Sequence, residues 1–279
     1  MVRPDERAEG AGPFTTRLTW RLAEGGSAVW ESRLARKRGL LRVRAEAGTE
    51  GPPRSAGGAA LHRLRLLNTV AAVAFTIGGA LFALGAAVAE TGSAGATAIA
   101  TIYFVGGLFF NTGGYTSLLQ AVNAPRRSRA TDSLVTRGWR WWSYEPGRID
   151  WLSALVLFVG TLVFGVNLFD SFLQGLSVQQ QDRLIWAPDL VGCVLFLVSG
   201  HLALVEVCHG RPGLRLHDLG WWIVVVNQLG SVLFMASAIA AFTRPETGSL
   251  VSVSIANWGT FAGALCFSAG GVLQLFERP

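Results

Sequence analysis

Six long apolar stretches constrain the fold of this chain more than any other feature of its sequence. A helix needs about 20 residues to cross the hydrocarbon core of a bilayer, whereas the strands of a membrane barrel have about 10 residues and are half polar. Each stretch has at least 20 residues, so we predict an all-α membrane protein with six transmembrane helices. The stretches lie at about residues 66–89, 96–122, 151–174, 187–209, 219–242 and 250–276.

The basic residues fall almost entirely on one side of these stretches. Of the 24 Arg and Lys residues, only Arg183 and Arg244 lie in the loops of the other side. The positive-inside rule then places the basic side, and with it both termini, in the cytoplasm. Only 15% of the residues are charged, against about 25% in a soluble domain. We therefore relate the net charge of +6 to topology and anionic lipid headgroups, and we expect no nucleic-acid partner.

Residues 1–64 precede the first stretch and are rich in Gly and Arg. We predict that they form a cytoplasmic basic tail, partly disordered, and that residues 65–279 form the six-span domain. Within the tail, residues 30–38 contain four basic side chains after Trp30. They are compatible with a short basic helix or strand that rests on an anionic membrane surface, and equally with a solvated segment of little structure.

A short glycine pattern recurs along the six stretches. Gly-x-x-x-Phe-x-x-[Gly/Ser]-Gly-x5-[Glu/Gln] occurs in the second, fourth and sixth stretches, and Gly-x-x-x-Phe occurs in the other three. The repeated residues share one helix face, and glycines on such a face let helices approach closely in lipid. We predict three hairpins, 66–122, 151–209 and 219–276, packed along a glycine seam. The seam consists of Gly78, Gly106, Gly113, Gly114, Gly160, Gly192, Gly200, Gly230, Gly263, Gly270 and Gly271.

The last position of the longer pattern is polar in all three copies. It holds Gln120, Glu206 and Glu277, about 15 Å beyond the phenylalanine by helical rise. This distance predicts that the three side chains lie at the cytoplasmic interface, where they can pair with the arginine that follows each helix: Arg126, Arg211 and Arg278.

The hairpin pattern also resembles a known family. The Gly-x-x-x-Phe hairpin is similar to the YrhK-like domain, a two-span membrane module of bacteria. The segments Trp139-Arg140-Trp141-Trp142-Ser143-Tyr144-Glu145-Pro146, Asp150-Trp151 and Trp186-Ala187-Pro188-Asp189 are similar to longer relatives of that module. The resemblance covers about residues 60–279. It implies a fold and a bacterial cytoplasmic membrane, and it supplies no catalytic residues.

Four polar residues within the stretches are candidates for a polar pocket. Asn111, Tyr115 and His201 lie away from the glycine seam, and Asn167 follows the phenylalanine of the third stretch by three residues. Polar groups at this depth are costly, which makes them candidates for function. If they converge, they would line a small polar pocket for a lipid headgroup, a proton or a metal. Alternatively, each one bonds to a neighbouring helix and only specifies packing.

Chemistry beyond binding has little support in the sequence. His201, Glu206, Cys208 and His209 are close in sequence, but their spacing does not place four ligands around one metal ion. The chain also lacks paired acids and a nucleophile elbow. We therefore expect no catalytic residue, metal or cofactor, and we predict a non-enzymatic structural or interaction module. Its partners would be the bilayer, anionic headgroups at the basic tail, and a homo-oligomer or another protein. The alternative is a small channel or transporter with a path through the four polar residues.

Overall fold

The computed structural model describes residues 6–45, 49–128, 131–136, 138–211 and 213–277. It begins with a five-stranded antiparallel sheet in which each strand pairs with the next along the chain. A short helix, α1, interrupts the sheet between its third and fourth strands. The elements are β1 (Arg7–Ala11), β2 (Phe14–Arg21), β3 (Ser27–Glu31), α1 (Ser32–Arg38), β4 (Leu40–Arg44) and β5 (Glu50–Ser55).

This N-terminal sheet corrects two expectations. The all-α class is wrong for this part of the chain, and strands occupy much of the segment expected to be a partly disordered tail. Trp20, Ala28 and Leu41 are buried in a small core of their own. The signal is present but weak: Leu18, Trp20 and Leu22 alternate with polar residues, as in a half-buried strand.

In the described part of the chain, six helices that are long and apolar enough to cross a membrane follow, in agreement with the predicted number. A four-residue helix, α5 (Val178–Gln181), and a π-helical turn (Asp182–Trp186) precede the fourth span. The spans are α2 (Gly58–Thr91), α3 (Ala96–Val122), α4 (Ile149–Asp170), α6 (Ala187–Val207), α7 (Leu219–Ala240) and α8 (Val253–Phe276). Because α2 begins at Gly58, the expected boundary at residue 65 falls inside a helix.

The six spans form a closed ring. Each contacts the next along the chain, and α8 contacts α2 to complete the circle. Large apolar side chains, such as Leu84, Leu162 and Leu229, are exposed on the outer surface of the ring. An exposed apolar surface of this extent is what lipid requires and water disfavours, so we treat the ring as the membrane-spanning part.

The phenylalanines of the glycine pattern meet at the centre of the ring. Phe82, Phe164 and Phe234, from the first helix of each hairpin, have ring centroids 5.5, 6.3 and 6.4 Å apart. The second helices contribute Phe110, Phe196 and Phe267, with Phe267 5.5 Å from Phe110 and 6.1 Å from Phe196. We call these six side chains the phenylalanine layers. They fill the ring axis.

The same glycine contact recurs in each hairpin. A Cβ atom built at Gly78 would lie 2.6 Å from the Phe110 ring, and one built at Gly263 would lie 2.7 Å from the Phe234 ring. Side chains larger than hydrogen do not fit at these positions, so each glycine lets a phenylalanine of the paired helix approach its backbone. The other glycines of the seam also have a neighbouring atom within 3.2 Å of a Cβ built on them. The neighbour belongs to the same hairpin for Gly106, Gly113, Gly160, Gly192, Gly230 and Gly270, and to the next hairpin for Gly114, Gly200 and Gly271.

The loop between α3 and α4 joins the N-terminal sheet. It contains a small hairpin, β6 (Arg126–Ser128) and β7 (Ser133–Val135). Leu134 is buried in the core of the sheet, and the guanidinium of Arg127 stacks 3.6 Å above the Trp20 ring. The sheet, the α3–α4 and α6–α7 loops and Glu277 therefore lie at one end of the ring, which we call the basic end.

Candidate functional site

Helix α1 lies across the basic end of the ring, and we call it the cap helix. It ends at Gly39, whose φ of 61° and backbone N–H bond to Ala35 form a left-handed cap. A Cβ at Gly39 would lie 2.6 Å from Leu61, so glycine also permits close packing on α2. The last turn contains Arg36, Lys37 and Arg38, a placement that the negative end of the helix dipole favours.

Arg36 binds the second hairpin. Its Nη2 atom donates to Glu206 Oε2 at 2.8 Å, while Ser32 Oγ of the same cap helix donates to Glu206 Oε1 at 2.8 Å. Its Nε atom lies 3.8 Å from Asp150 Oδ2. Arg36 is 7% and Glu206 1% exposed. A buried pair of this kind depends on both partners, because removing one leaves an uncompensated charge.

Arg33 binds the third hairpin. Its Nε and Nη2 atoms donate to the two carboxylate oxygens of Glu277 at 2.9 and 2.8 Å, a bidentate pair. Burial lowers the pKa of Arg33, but Glu277 reverses this effect and raises it above its ordinary value. Burial raises the pKa of Glu277, but the positive charges of Arg33 and Lys37 lower it by more. The pKa of this carboxyl therefore lies below its ordinary value.

Lys37 binds the first hairpin, without a carboxylate. Its Nζ atom donates to Asn68 Oδ1 at 3.1 Å, and Asn68 in turn donates to the backbone carbonyls of Gln274 and Glu277. Lys37 is 4% exposed. Burial, followed by the charge of Arg36, lowers its pKa well below the ordinary value. The cap helix thus makes polar contacts with all three hairpins, and the contact with the first one carries the least charge compensation.

A cavity of about 110 Å³ lies on the axis between the cap helix and the phenylalanine layers. We call it the axial cavity. Three cations of the cap helix, Arg33, Arg36 and Lys37, line its wall at the basic end. Asp150 is the one carboxylate among its lining residues. Its other walls carry Ser117, Ser153, Ser199, Asn227, Ser231 and Gln274, and Phe75, Phe196 and Phe267 lie at its apolar end.

A larger cleft of about 600 Å³ lies outside the cap helix, beside the α6–α7 loop. Arg38, Arg42, Arg215 and His217 are among its lining residues. Arg33 and Lys37 line both this cleft and the axial cavity. These two side chains therefore form part of the wall between the cavity and the cleft.

The polar residues that end each glycine pattern have different partners from those expected. Arg36 and Arg33 of the cap helix, rather than the arginines that follow α6 and α8, bind Glu206 and Glu277. Gln120 is buried and donates to the backbone carbonyl of Leu64 at 3.3 Å. Arg278 lies outside the described residues. The pairings join residues 170 and 244 positions apart, a distance at which helical periodicity carries no information.

The structure does not bring the four candidate pocket residues together. His201 is exposed on the outside of α6. Tyr115 packs against Phe158 and reaches the carbonyl of Trp141 at 3.5 Å. Asn111 lies in a groove between α3 and α4, and Asn167 accepts from Ser171. None of the four lines the axial cavity.

The physical reason lies in helix direction. The glycine seam faces neighbouring helices, so the polar residues on other faces of α3 and α6 point toward lipid or grooves instead of the axis. Asn167 is buried, but it lies near the end of α4 that is far from the axial cavity. The sequence did not indicate cavity residues such as the buried Ser153 and the half-buried Asn227, because a serine or asparagine near a helix start resembles an interfacial residue. Among the described residues, no group of three or more His, Cys, Asp or Glu side chains could hold a metal ion.

Comparisons of the chain with models of protein families, with curated proteins and with solved structures returned no match.

Proposed function

We propose that this chain is a non-enzymatic, multi-pass module of the bacterial cytoplasmic membrane, in which the ring holds the N-terminal sheet at the membrane surface for interaction with lipid or a partner. One observation carries the proposal: the cap helix makes buried polar contacts with all three hairpins. Because these contacts join the sheet to the ring, binding of a partner at the sheet would change the stability of the ring, and a change in the ring would affect binding at the sheet.

Charge supports an orientation with the basic end in the cytoplasm. The N-terminal segment and the α3–α4 and α6–α7 loops hold nearly all of the basic residues, in keeping with the positive-inside rule. Membership of the YrhK-like family is part of the same proposal. The support for it is the recurrence of the Gly–Phe contact in three hairpins.

Anionic lipid headgroups are the partner that the rim of the basic end fits best. Trp141 and Trp142 are 66% and 54% exposed beside the exposed Arg140. Leu214 and Leu216 are exposed in the α6–α7 loop, close to Arg211. Aromatic and apolar side chains next to cations match the interfacial zone of a bilayer that contains anionic lipid. A homo-oligomer or a protein partner would bind at the sheet.

Thermal unfolding in nanodiscs with and without an anionic phospholipid tests this proposal. The anionic lipid should raise the melting temperature of the wild type, and Arg140→Gln combined with Arg211→Gln should reduce that increase. The matched control is Arg244→Gln, in an exposed loop at the opposite end of the ring. The proposal fails if the lipid has no effect, or if Arg244→Gln reduces it equally.

The alternative function, a small channel or transporter, gains support from the axial cavity. The path would follow the axis instead of Asn111, Tyr115, Asn167 and His201, and the phenylalanine layers would have to separate for a solute to pass. Flux of a small anion into liposomes distinguishes the two functions. We expect the wild type to show no more flux than empty liposomes; flux that Lys37→Met abolishes would favour the transporter.

A further inference from the structure

We propose that the axial cavity is a binding site for a small inorganic oxyanion, held by N–H groups of Lys37 and Arg36 for which the described residues offer no acceptor. An anion that the protein stores, senses or transports would occupy this site, a role that lipid or partner binding at the sheet does not require.

The charges that face the cavity are unequal. Arg33, Arg36 and Lys37 line it against one carboxylate, that of Asp150. Glu206 and Glu277 compensate two of these cations, but neither carboxylate is among the lining residues. Of the three, Lys37 is the side chain without a carboxylate bound to it, and its ammonium group would attract an anion more strongly in this space than in bulk solvent.

Hydrogen-bond donors are also left over at the cavity wall. Lys37 has three N–H groups, and Asn68 Oδ1 is the one acceptor that the described residues provide for them. The Nε–H of Arg36 makes no hydrogen bond, although Arg36 is more than nine-tenths buried. Buried donors without acceptors are rare in folded proteins, because a buried N–H group that has lost water and gained no acceptor destabilises the fold. An anion with several oxygen atoms would accept from both side chains at once.

The size of the cavity limits the ligand. A cavity of about 150 Å³ can hold a benzene molecule, so a space of about 110 Å³ can hold an ion of the size of nitrate, bicarbonate or phosphate. A phospholipid headgroup with its glycerol is too large for this space. The outer cleft, with Arg38, Arg42 and Arg215, is where such a headgroup would bind instead.

Access would come from the outer cleft. Arg33 and Lys37 line both spaces, and the bidentate pair with Glu277 holds Arg33 in place. Movement of either side chain would connect the cavity to the cleft. On the other side, Phe196 and Phe267 line the cavity and belong to the layers that fill the axis.

Titration calorimetry of the full chain in zwitterionic nanodiscs, with gluconate as the background anion, tests the proposal. The probes are nitrate, phosphate and glycerol 3-phosphate, the last as a soluble headgroup analogue. We expect one saturable site for nitrate or phosphate, a loss of affinity of at least about tenfold in Lys37→Met, and a change below about twofold in Arg42→Gln, since one lost charge-assisted hydrogen bond is worth roughly 1.5–3 kcal/mol. Lys37→Met removes a buried cation without a carboxylate partner, so we expect this variant to fold.

Three results would overturn the proposal. The wild type could bind neither inorganic anion; Lys37→Met could bind as well as the wild type; or Arg42→Gln could lose as much affinity as Lys37→Met, which would place the ion in the outer cleft. Binding of glycerol 3-phosphate without nitrate or phosphate would also exclude the cavity and indicate a headgroup site. Melting temperatures of all variants, measured in the same nanodiscs, separate lost binding from lost folding.

Discussion

The axial cavity is bounded on one side by polar residues and on the other by apolar ones. At the basic end, the cap helix contacts the ring through buried ion pairs such as Arg36–Glu206. At the centre, the phenylalanine layers contact one another and the glycines of the seam. Polar contacts of this kind are lost when one charge is removed, whereas aromatic packing responds to changes of volume. Charge variants should therefore lower stability at the basic end, and size variants should lower it at the centre.

The largest effect is expected for Glu206→Ala. This variant leaves Arg36 buried with only the Asp150 carboxylate, 3.8 Å away, and should lower the free energy of unfolding by about 3–5 kcal/mol. Equilibrium unfolding in detergent measures the change. Glu246→Ala, in an exposed loop at the opposite end, is the matched control and should be nearly neutral. Equal losses in both variants would mean that the basic end does not depend on this pair.

A size change at the centre is expected to have the next largest effect. The Cβ of Gly230→Val would lie 2.9 Å from the carbonyl oxygen of Gly263 on the paired helix. Overpacking of this kind should cost about 1–3 kcal/mol of unfolding free energy. The control is Ala80→Val, at an exposed position of α2, measured in the same assay. A tolerated Gly230→Val would show that the two helices of the third hairpin do not approach as closely as described.

The pH dependence of stability should distinguish the basic end of the ring from the phenylalanine layers at its centre. The folded protein binds the Lys37 proton less readily than the unfolded chain, because burial and Arg36 lower the pKa of this residue. Stability should therefore rise with pH between the folded pKa and the ordinary value of 10.5, by up to about 1.4 kcal/mol per pH unit.

Lys37→Met should remove this slope, and Gly230→Val should retain it. Unfolding between neutral and alkaline pH, in amine buffers with gluconate as the counter-ion so that no small inorganic oxyanion is added, provides the measurement. The partners near Lys37 that set its charge environment are Arg33, Arg36, Glu206 and Glu277. An identical slope in the wild type and Lys37→Met would assign the pH dependence to other groups.

The smallest effect is expected when the buried pair is replaced as a whole. Arg36→Met combined with Glu206→Leu removes both charges. The free energy of unfolding of this double variant should lie within about 1 kcal/mol of the wild-type value, or exceed it, since apolar replacements of buried pairs are often neutral or stabilising. The two single variants provide the controls for a double-mutant cycle. A double variant less stable than Glu206→Ala would contradict a simple pairing between the two residues.

Much of the ring could be predicted from sequence, because a membrane span leaves a strong signal. The second stretch, 96–122, coincides with α3, and the other five differ from their helices by two to eight residues at one or both ends. The Gly–Phe spacing also predicts which side chains share a helix face. These properties depend only on residues close together in the sequence.

The site could not be predicted in the same way. Its contacts join the cap helix to residues such as Glu206 and Glu277, 170 and 244 positions further along the chain. They exist because the N-terminal segment forms a sheet and returns over the ring, and its alternating residues, such as Leu18 and Trp20, are too few to stand out. His201 is a polar residue near the middle of a predicted span, but its position along the helix does not determine which way its side chain points.

Thiol labelling in vesicles tests whether the axial cavity is closed at both ends. The cap helix should close it at the basic end, and the phenylalanine layers should close it at the opposite end. Ser153→Cys lines the cavity, and Ser237→Cys lies beyond Phe234 toward the opposite end; both are made after replacement of Cys193, Cys208 and Cys266. We predict that an anionic thiol reagent added at the basic end modifies Ser153→Cys only when Arg33→Ala and Glu277→Ala are present, and never modifies Ser237→Cys. Modification of Ser153→Cys from the opposite side, or at the same rate with and without the Arg33–Glu277 pair, would contradict the account.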